Sequence, residues 1–147
     1  MSTRYWVVVV SKDHVQRGVE NGFTQANHGK AAALRRMRKG DGVLFYSPKI
    51  EYGGNEACQC FTAIGTVGDD ELYQADMGDG FEPWRRNICF LPSEDVPIVP
   101  LIDQLSFIRN KKSWGYVFRW GFFGIPQDDF RWIAERMTSH NIAEVFA

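Results

Sequence analysis

Between Gly22 and Lys49 the chain reads G-F-T-Q-A-N-H-G-K-A-A-A-L-R-R-M-R-K-G-D-G-V-L-F-Y-S-P-K, the stretch richest in groups that can do chemistry. Gln25 and Asn27 offer amides, His28 an imidazole, Lys30, Arg35 and Arg36 cations, and Tyr46 and Ser47 hydroxyls. A polar loop feeding a helix presents unpaired backbone N–H groups at the helix start, where a polar or anionic ligand is held. His28 beside Lys30 could also serve as a general base near neutral pH. No second catalytic group stands at a defined spacing: the sequence holds no paired carboxylates, metal-ligand set or nucleophile elbow. The chain therefore reads as non-catalytic, with no cofactor and no metal expected.

The Gly29-Lys30 pair invites a phosphate-loop reading that the spacing rejects. Such a loop needs G-x-x-x-x-G-K-[ST], whereas six residues separate Gly22 from Gly29 and Ala31 stands where the magnesium-binding hydroxyl belongs. No acidic residue occurs between Glu20 and Asp41, while Lys30, Arg35, Arg36, Arg38 and Lys39 fall inside that window. A solvated helix face and a phosphate-binding patch both fit this local asymmetry.

The elements that position these groups follow from patterning. Tyr5 to Val10 is a continuous aromatic and β-branched run, expected as a central strand buried on both faces. Ser11 and Lys12, at its polar end, are ligand candidates, and Ser11 also suits the cap of a short helix that Gly18 should stop. Asn27 as N-cap and Gly40 as C′ residue predict a basic helix over about Gly29 to Lys39, docked through Ala33, Leu34 and Met37. A second strand from Gly42 to Ser47 should end at Pro48 and return through a hairpin as Ala57 to Val67. In that return strand Phe61 and Ala63 are expected on one side and Thr62 and Ile64 on the other, with Gly65 marking a bulge or a close approach.

Gly68-Asp69-Asp70 reads as a turn before a weaker strand from Leu72 to Met77. Trp84 to Phe90 alternates so clearly that one of Arg85 and Arg86 must point inward, onto a carboxylate or a ligand. Leu101 to Leu105 is a single helical turn. Phe107 to Trp120 mixes aromatic rings with Arg109, Lys111, Lys112 and Arg119, a composition that suits both stacking on bases and an ordinary core with a basic rim. Phe130, Ile133, Ala134 and Met137 then mark the buried face of a closing helix. The sum is an α+β domain of five to six strands, a small, partly open barrel with short flanking helices.

At 147 residues the chain is long enough for one domain with a proper core, and its formal charge of -1 creates no whole-molecule field for nucleic acid. Three cysteines, with Cys58 and Cys60 close together, suit a reducing compartment and read as structural filler. The longest apolar run is far short of the ~20 residues that span a bilayer. A cytoplasmic protein with no membrane partner is the expectation.

Taken in order, Tyr5-Trp6 and the valines with Ser11-Lys12, then G-F-x-Q-x-N-H-G-K, L-R-R-M, G-D-G-V-L-F-Y-S-P-K, F-T-A-I-G, R-R, P-L-I, L-S-F-I and W-G-x-x-F-R-x-G, resemble the EVE domain, a member of the PUA-like superfamily related to YTH domains. The likeness runs from Tyr5 to about Met137. It implies a single PUA-like barrel over residues 1–147 with a pocket between the end of the first strand, the loop before the basic helix and the end of the second strand. Carried onto this sequence, the pocket residues are Ser11, Lys12, Phe23, Gln25, Asn27, His28, Lys30, Tyr46 and Ser47, with Trp114 and Arg119 as lids. The implied partner is DNA or RNA bearing a modified base, with Lys30, Arg35 and Arg36 on the phosphates. YTH readers carry a tryptophan in the loop before the helix, where this chain has Phe23, so a modification other than N6-methyladenine is expected. The competing readings are a pocket for a small anionic metabolite or nucleotide, and an enzyme using His28.

Overall fold

Tyr5–Val9 forms β1, and its alternate side chains enter two separate cores. Tyr5 and Val7 join one, Trp6 and Val8 the other, as expected of a strand buried on both faces. This computed structural model describes residues 3–26, 30–139 and 145. Beside β1 lies β3 (Gly42–Lys49), parallel to it with Tyr5 opposite Gly42 and Val9 opposite Tyr46. On the other side runs the antiparallel β7 (Phe122–Gly124).

The remaining strands are β2 (Phe23–Thr24), β4 (Ala57–Gln74), β5 (Trp84–Phe90) and β6 (Val96–Pro97). They complete a seven-stranded sheet in the order β2-β5-β4-β3-β1-β7, with β6 attached to β4. The order does not return on itself, so the barrel is partly open, as expected. It has seven strands and not the expected five to six, because β2 and β6 are two-residue strands too short to show a pattern in the sequence. Helix α1 (Lys12–Asn21) and helix α2 (Ala31–Leu34) lie between β1 and β3 in the chain, and α3 (Gln127–Met137) closes it. In α3 the expected residues Phe130, Ile133, Ala134 and Met137 are all buried. No helix among the described residues is long and apolar enough to cross a membrane.

Several boundaries differ from expectation, each for a nameable reason. Helix α1 passes through Gly18 and ends at Gly22, whose φ of 75° gives the left-handed cap. Gly18 serves packing instead: a β-carbon there would stand 2.5 Å from the carbonyl oxygen of Phe23. Strand β3 continues through Pro48, because the ladder with β4 shifts register between Ser47 and Lys49 and needs no N–H donor there. Gly68-Asp69-Asp70 is no turn but part of one long β4, absorbed by a register shift against β5 between Val67 and Leu72. Thr62 is skipped where Tyr46 faces Phe61 and Phe45 faces Ala63, so Phe61 joins Ile64 in one core and Ala63 lies in the other. Gly65 does mark a close approach, since its missing β-carbon would lie 2.6 Å from the Cys89 carbonyl oxygen.

The basic helix is the largest correction. Expected over about Gly29 to Lys39, it is the four-residue α2, with Lys30 at its N-cap. Arg36 N and Met37 N donate to the carbonyls of Ala33 and Leu34, three residues back, which tightens the chain out of α geometry. Two side chains then hold the segment that follows the helix. Asp41 accepts from Arg38 N, and Arg86 donates to the carbonyls of Leu34 and Met37. Asp41 is buried, yet it also accepts from Arg4 N and from Trp6 Nε1 at 2.8 Å, so its charge is well satisfied and ties β1 to the turn after α2.

Candidate functional site

Most of the described sequence-predicted residues fall in two neighbourhoods. The first is the end of β1 and β3. Ser11 is the N-cap of α1, and its Oγ donates to Asp13 Oδ1 at 2.6 Å. Asp13 also accepts from the amides of His14 and Tyr52. Burial opposes ionisation of Asp13, but these hydrogen bonds outweigh it and hold the carboxyl below its ordinary value. Lys12 pairs with Asp95 at 2.7 Å, and that hydrogen bond and charge raise its ammonium pKa. Ser47 is fully buried and shares a 2.7 Å hydrogen bond with Thr62.

Tyr46 is a core side chain and not an open wall. Its ring stacks on Phe118 at 4.0 Å and meets Phe61 edge-on, and burial pushes its phenol pKa up. Trp114, half-buried, meets the same Phe118 at 6.4 Å. The aromatic surfaces of this end are thus largely turned on one another. Cys58 and Cys60 adjoin it: Cys60 Sγ donates to the Cys58 carbonyl, and burial pushes the Cys60 thiol up to about 11.

The second neighbourhood is the edge formed by β2 and β5. Alternation in β5 turns Arg86 inward and leaves Arg85 on the opposite face, where Phe23 of β2 pairs with Asn87. The Arg85 guanidinium lies 3.9 Å from the centroid of the Phe23 ring. Arg85 Nε donates to Gln25 Oε1 at 2.8 Å and Nη2 to the Met77 sulfur. Among the described residues no carboxylate pairs with Arg85. The inward Arg86 meets a carboxylate, Asp70, only at 4.0 Å and donates mainly to backbone carbonyls through Nη1 and Nη2, while its buried Nε has no hydrogen-bond partner among the described residues.

From this edge the chain leads through Gln25 and buried Ala26 to Lys30, Arg35 and Arg36, all three exposed. Asn27 and His28 lie outside the described residues. With only four residues, α2 provides no sustained dipole, which removes the physical basis given above for an anion at its N-terminus. Arg36 stretches over Trp6 and Phe122, at 5.0 and 5.6 Å from the ring centroids. Segment 31–39 therefore bridges the gap in the sheet, held by Arg86 of β5 on one side and lying on β1 and β7 through Arg36 on the other.

A single cavity containing Phe23, Tyr46 and Trp114 is not what these placements give. Phe23 and Tyr46 stand on strands three steps apart in the sheet, roughly 14 Å at the usual interstrand spacing. Arg119 belongs to a third place, the 3-10 helix Trp114–Trp120, where it lies over Tyr116 at 5.3 Å. Arg85 is a candidate that the sequence reading does not include. Its signal lies in the alternation of β5, which turns one of two adjacent arginines away from the core, but the pairing that brings it to Phe23 is not written in that alternation.

Residues 4–136 match the EVE domain family. The chain belongs to that family. It is 52% identical over 134 residues to a UPF0310 protein of Mycolicibacterium vanbaalenii, covering 91% of this chain and 92% of the relative. A UPF0310 protein of Streptococcus sanguinis is 44% identical over 136 residues, covering 92% and 94%. Among solved structures, the NMR structure of Rpa0253 from Rhodopseudomonas palustris superposes with a TM-score of 0.55 at 16% identity, over 91% of this chain and 92% of that one. The crystal structure of Atu2648 from Agrobacterium tumefaciens gives 0.54 at 16% identity, over 90% and 92%. These two share the fold of this EVE domain, and the PUA-like architecture general to the family agrees with the open, mixed sheet described above.

Proposed function

We propose that this EVE domain is a non-catalytic module that binds nucleic acid and accommodates a modified nucleobase at the edge formed by β2 and β5. The observation that supports it is the Arg85 guanidinium, 3.9 Å from the centroid of the Phe23 ring and hydrogen-bonded through Nε to Gln25. A flat cation backed by an aromatic ring is a surface on which a base stacks. With its oxygen occupied by Arg85, Gln25 retains two amide donors for a base edge. Lys30, Arg35 and Arg36, next along the chain, supply the flanking phosphates with charge. Stacking of this kind contributes about 1 to 3 kcal/mol per base, while each phosphate contact makes affinity fall with salt. The near-neutral chain leaves discrimination to the base contacts.

Fluorescence titration with single-stranded DNA and RNA of one sequence, differing only in one modified base, tests this reading at two salt concentrations. Preference for one modified base over its parent is expected, and Arg85→Ala should remove the preference without unfolding the protein. Equal affinity for every modified base and its parent would overturn it.

A further inference from the structure

The 3-10 helix Trp114–Trp120 (W-G-Y-V-F-R-W) presents two large exposed rings, Tyr116 and Trp120. Its central Phe118 is buried against Tyr46, Phe107 and Phe123, which fixes the segment to the core. Three residues per turn bring Tyr116 and Arg119 into register, and the guanidinium lies over the phenol ring. Tyr116 remains 61% exposed and Trp120 69%, and Trp120 has no ring or hydrogen-bond partner among the described residues. Leaving two large rings in water on an anchored turn forgoes the burial that the rest of this aromatic-rich chain exploits.

Charge says what covers them. From Gln104 to Gln127 there is no acidic residue, and the cations are Arg109, Lys111, Lys112 and Arg119. Lys111 is spent on the carbonyls of Ile102 and Leu105, while Arg109, Lys112 and Arg119 are exposed. Two residues beyond Trp120, Phe122 lies under the Arg36 guanidinium of the basic segment. Exposed rings interleaved with unpaired cations fit a polyanion that also presents flat faces.

We propose that Tyr116, Arg119 and Trp120 form a second, sequence-tolerant platform on which the unpaired strand flanking the recognised base stacks. This rests on the nucleic-acid reading above and adds to it a preference for single strands over duplex and a footprint longer than one nucleotide.

The test compares unmodified single-stranded oligonucleotides of increasing length, the matching duplex, and anionic phosphatidylserine vesicles. The proteins are wild type, Trp120→Ala, the Tyr116→Ala/Trp120→Ala pair, Tyr52→Ala as an exposed aromatic elsewhere, and Arg85→Ala. Wild-type affinity should rise with strand length, and Trp120→Ala should weaken long-strand binding by about 5- to 150-fold while leaving the ratio between modified and parent base unchanged. Tyr52→Ala should bind as wild type does. If Trp120→Ala and the pair bind long strands as wild type does while Arg85→Ala still loses base preference, the platform falls and the base site stands. Equal binding of duplex and single strand overturns stacking. Vesicle binding with no oligonucleotide binding overturns both readings.

Discussion

Arg86, carried by β5, donates through Nη1 to the carbonyl oxygen of Leu34 at 3.1 Å, so a strand supplies the C-terminal cap of a helix 52 residues earlier. The same nitrogen reaches the Met37 carbonyl at 2.9 Å, and Nη2 reaches that of Asp69 at 2.7 Å. Arg86→Met keeps the buried stem but takes its donors from the Met37 and Asp69 carbonyls, while Leu34 keeps Met37 N. A loss of about 3 kcal/mol in urea unfolding is expected, at about 1 to 3 kcal/mol for each buried group left unpaired. Oligonucleotide affinity should fall with it, because the cations of segment 30–39 lose their anchor. A variant as stable as wild type would show that the cap is dispensable.

Gly18 and Phe23 make a second test. Alanine in place of glycine inside a helix ordinarily stabilises by about 1 kcal/mol. Here the new methyl would meet the Phe23 carbonyl at 2.5 Å, so the backbone of β2 must shift. Gly18→Ala should be destabilised by about 1 to 3 kcal/mol, as overpacking is. It should also weaken discrimination between bases, because Phe23 moves under Arg85. Gly115→Ala, with nothing within 4 Å of its added carbon, is the control and should melt near wild type.

The hydrogen bonds around Asp13 give stability a pH signature. Its carboxyl is held below its ordinary value in the folded protein by the Ser11, Tyr52 and His14 hydrogen bonds, against the opposing effect of burial. The stabilisation is therefore whole above the unfolded value and fades as the pH falls through the lower folded one. Asp13→Ala should lower the urea midpoint at neutral pH, and the gap from wild type should close in strong acid. A gap of constant size from neutral to acid would mean that the charge of Asp13 contributes nothing.

Arg35 and Arg36 are adjacent cations with different surroundings. Arg35→Gln should reduce the slope of log affinity against log salt by about 0.7 to 0.9, as for one lost phosphate contact, and leave the melting temperature alone. Arg36→Gln should do the same to the slope and also cost about 0.5 to 1 kcal/mol of stability, since its guanidinium covers the Trp6 and Phe122 rings. Unchanged salt slopes in both variants would remove segment 30–39 from the interface.

What could be read in advance followed local repeats. Strand β5 has the bounds its alternation predicted, with one arginine inward, and α3 buries the four residues its periodicity singled out. Distant partners were out of reach. Whether Gly68-Asp69-Asp70 turns or bulges is decided by β5, and the length of α2 by Arg86 and Asp41. The sequence reads Tyr46 as a pocket residue, whereas the Phe118 ring stacked on it makes it part of the core. For the candidate site, Phe23 and Gln25 were legible as a polar, aromatic loop, but their joint hold on Arg85 depends on the pairing of β2 with β5.

Strands β1 and β3 point the same way, and no hairpin can join neighbours of that kind. Having reached the end of β1, the polypeptide must travel back along the sheet before β3 can begin. That obligatory detour, residues 10–41, carries both Phe23 and the arginines. The segment assigned to ligand recognition is thus also the connector that the topology requires, and shortening it would remove the architecture together with the chemistry.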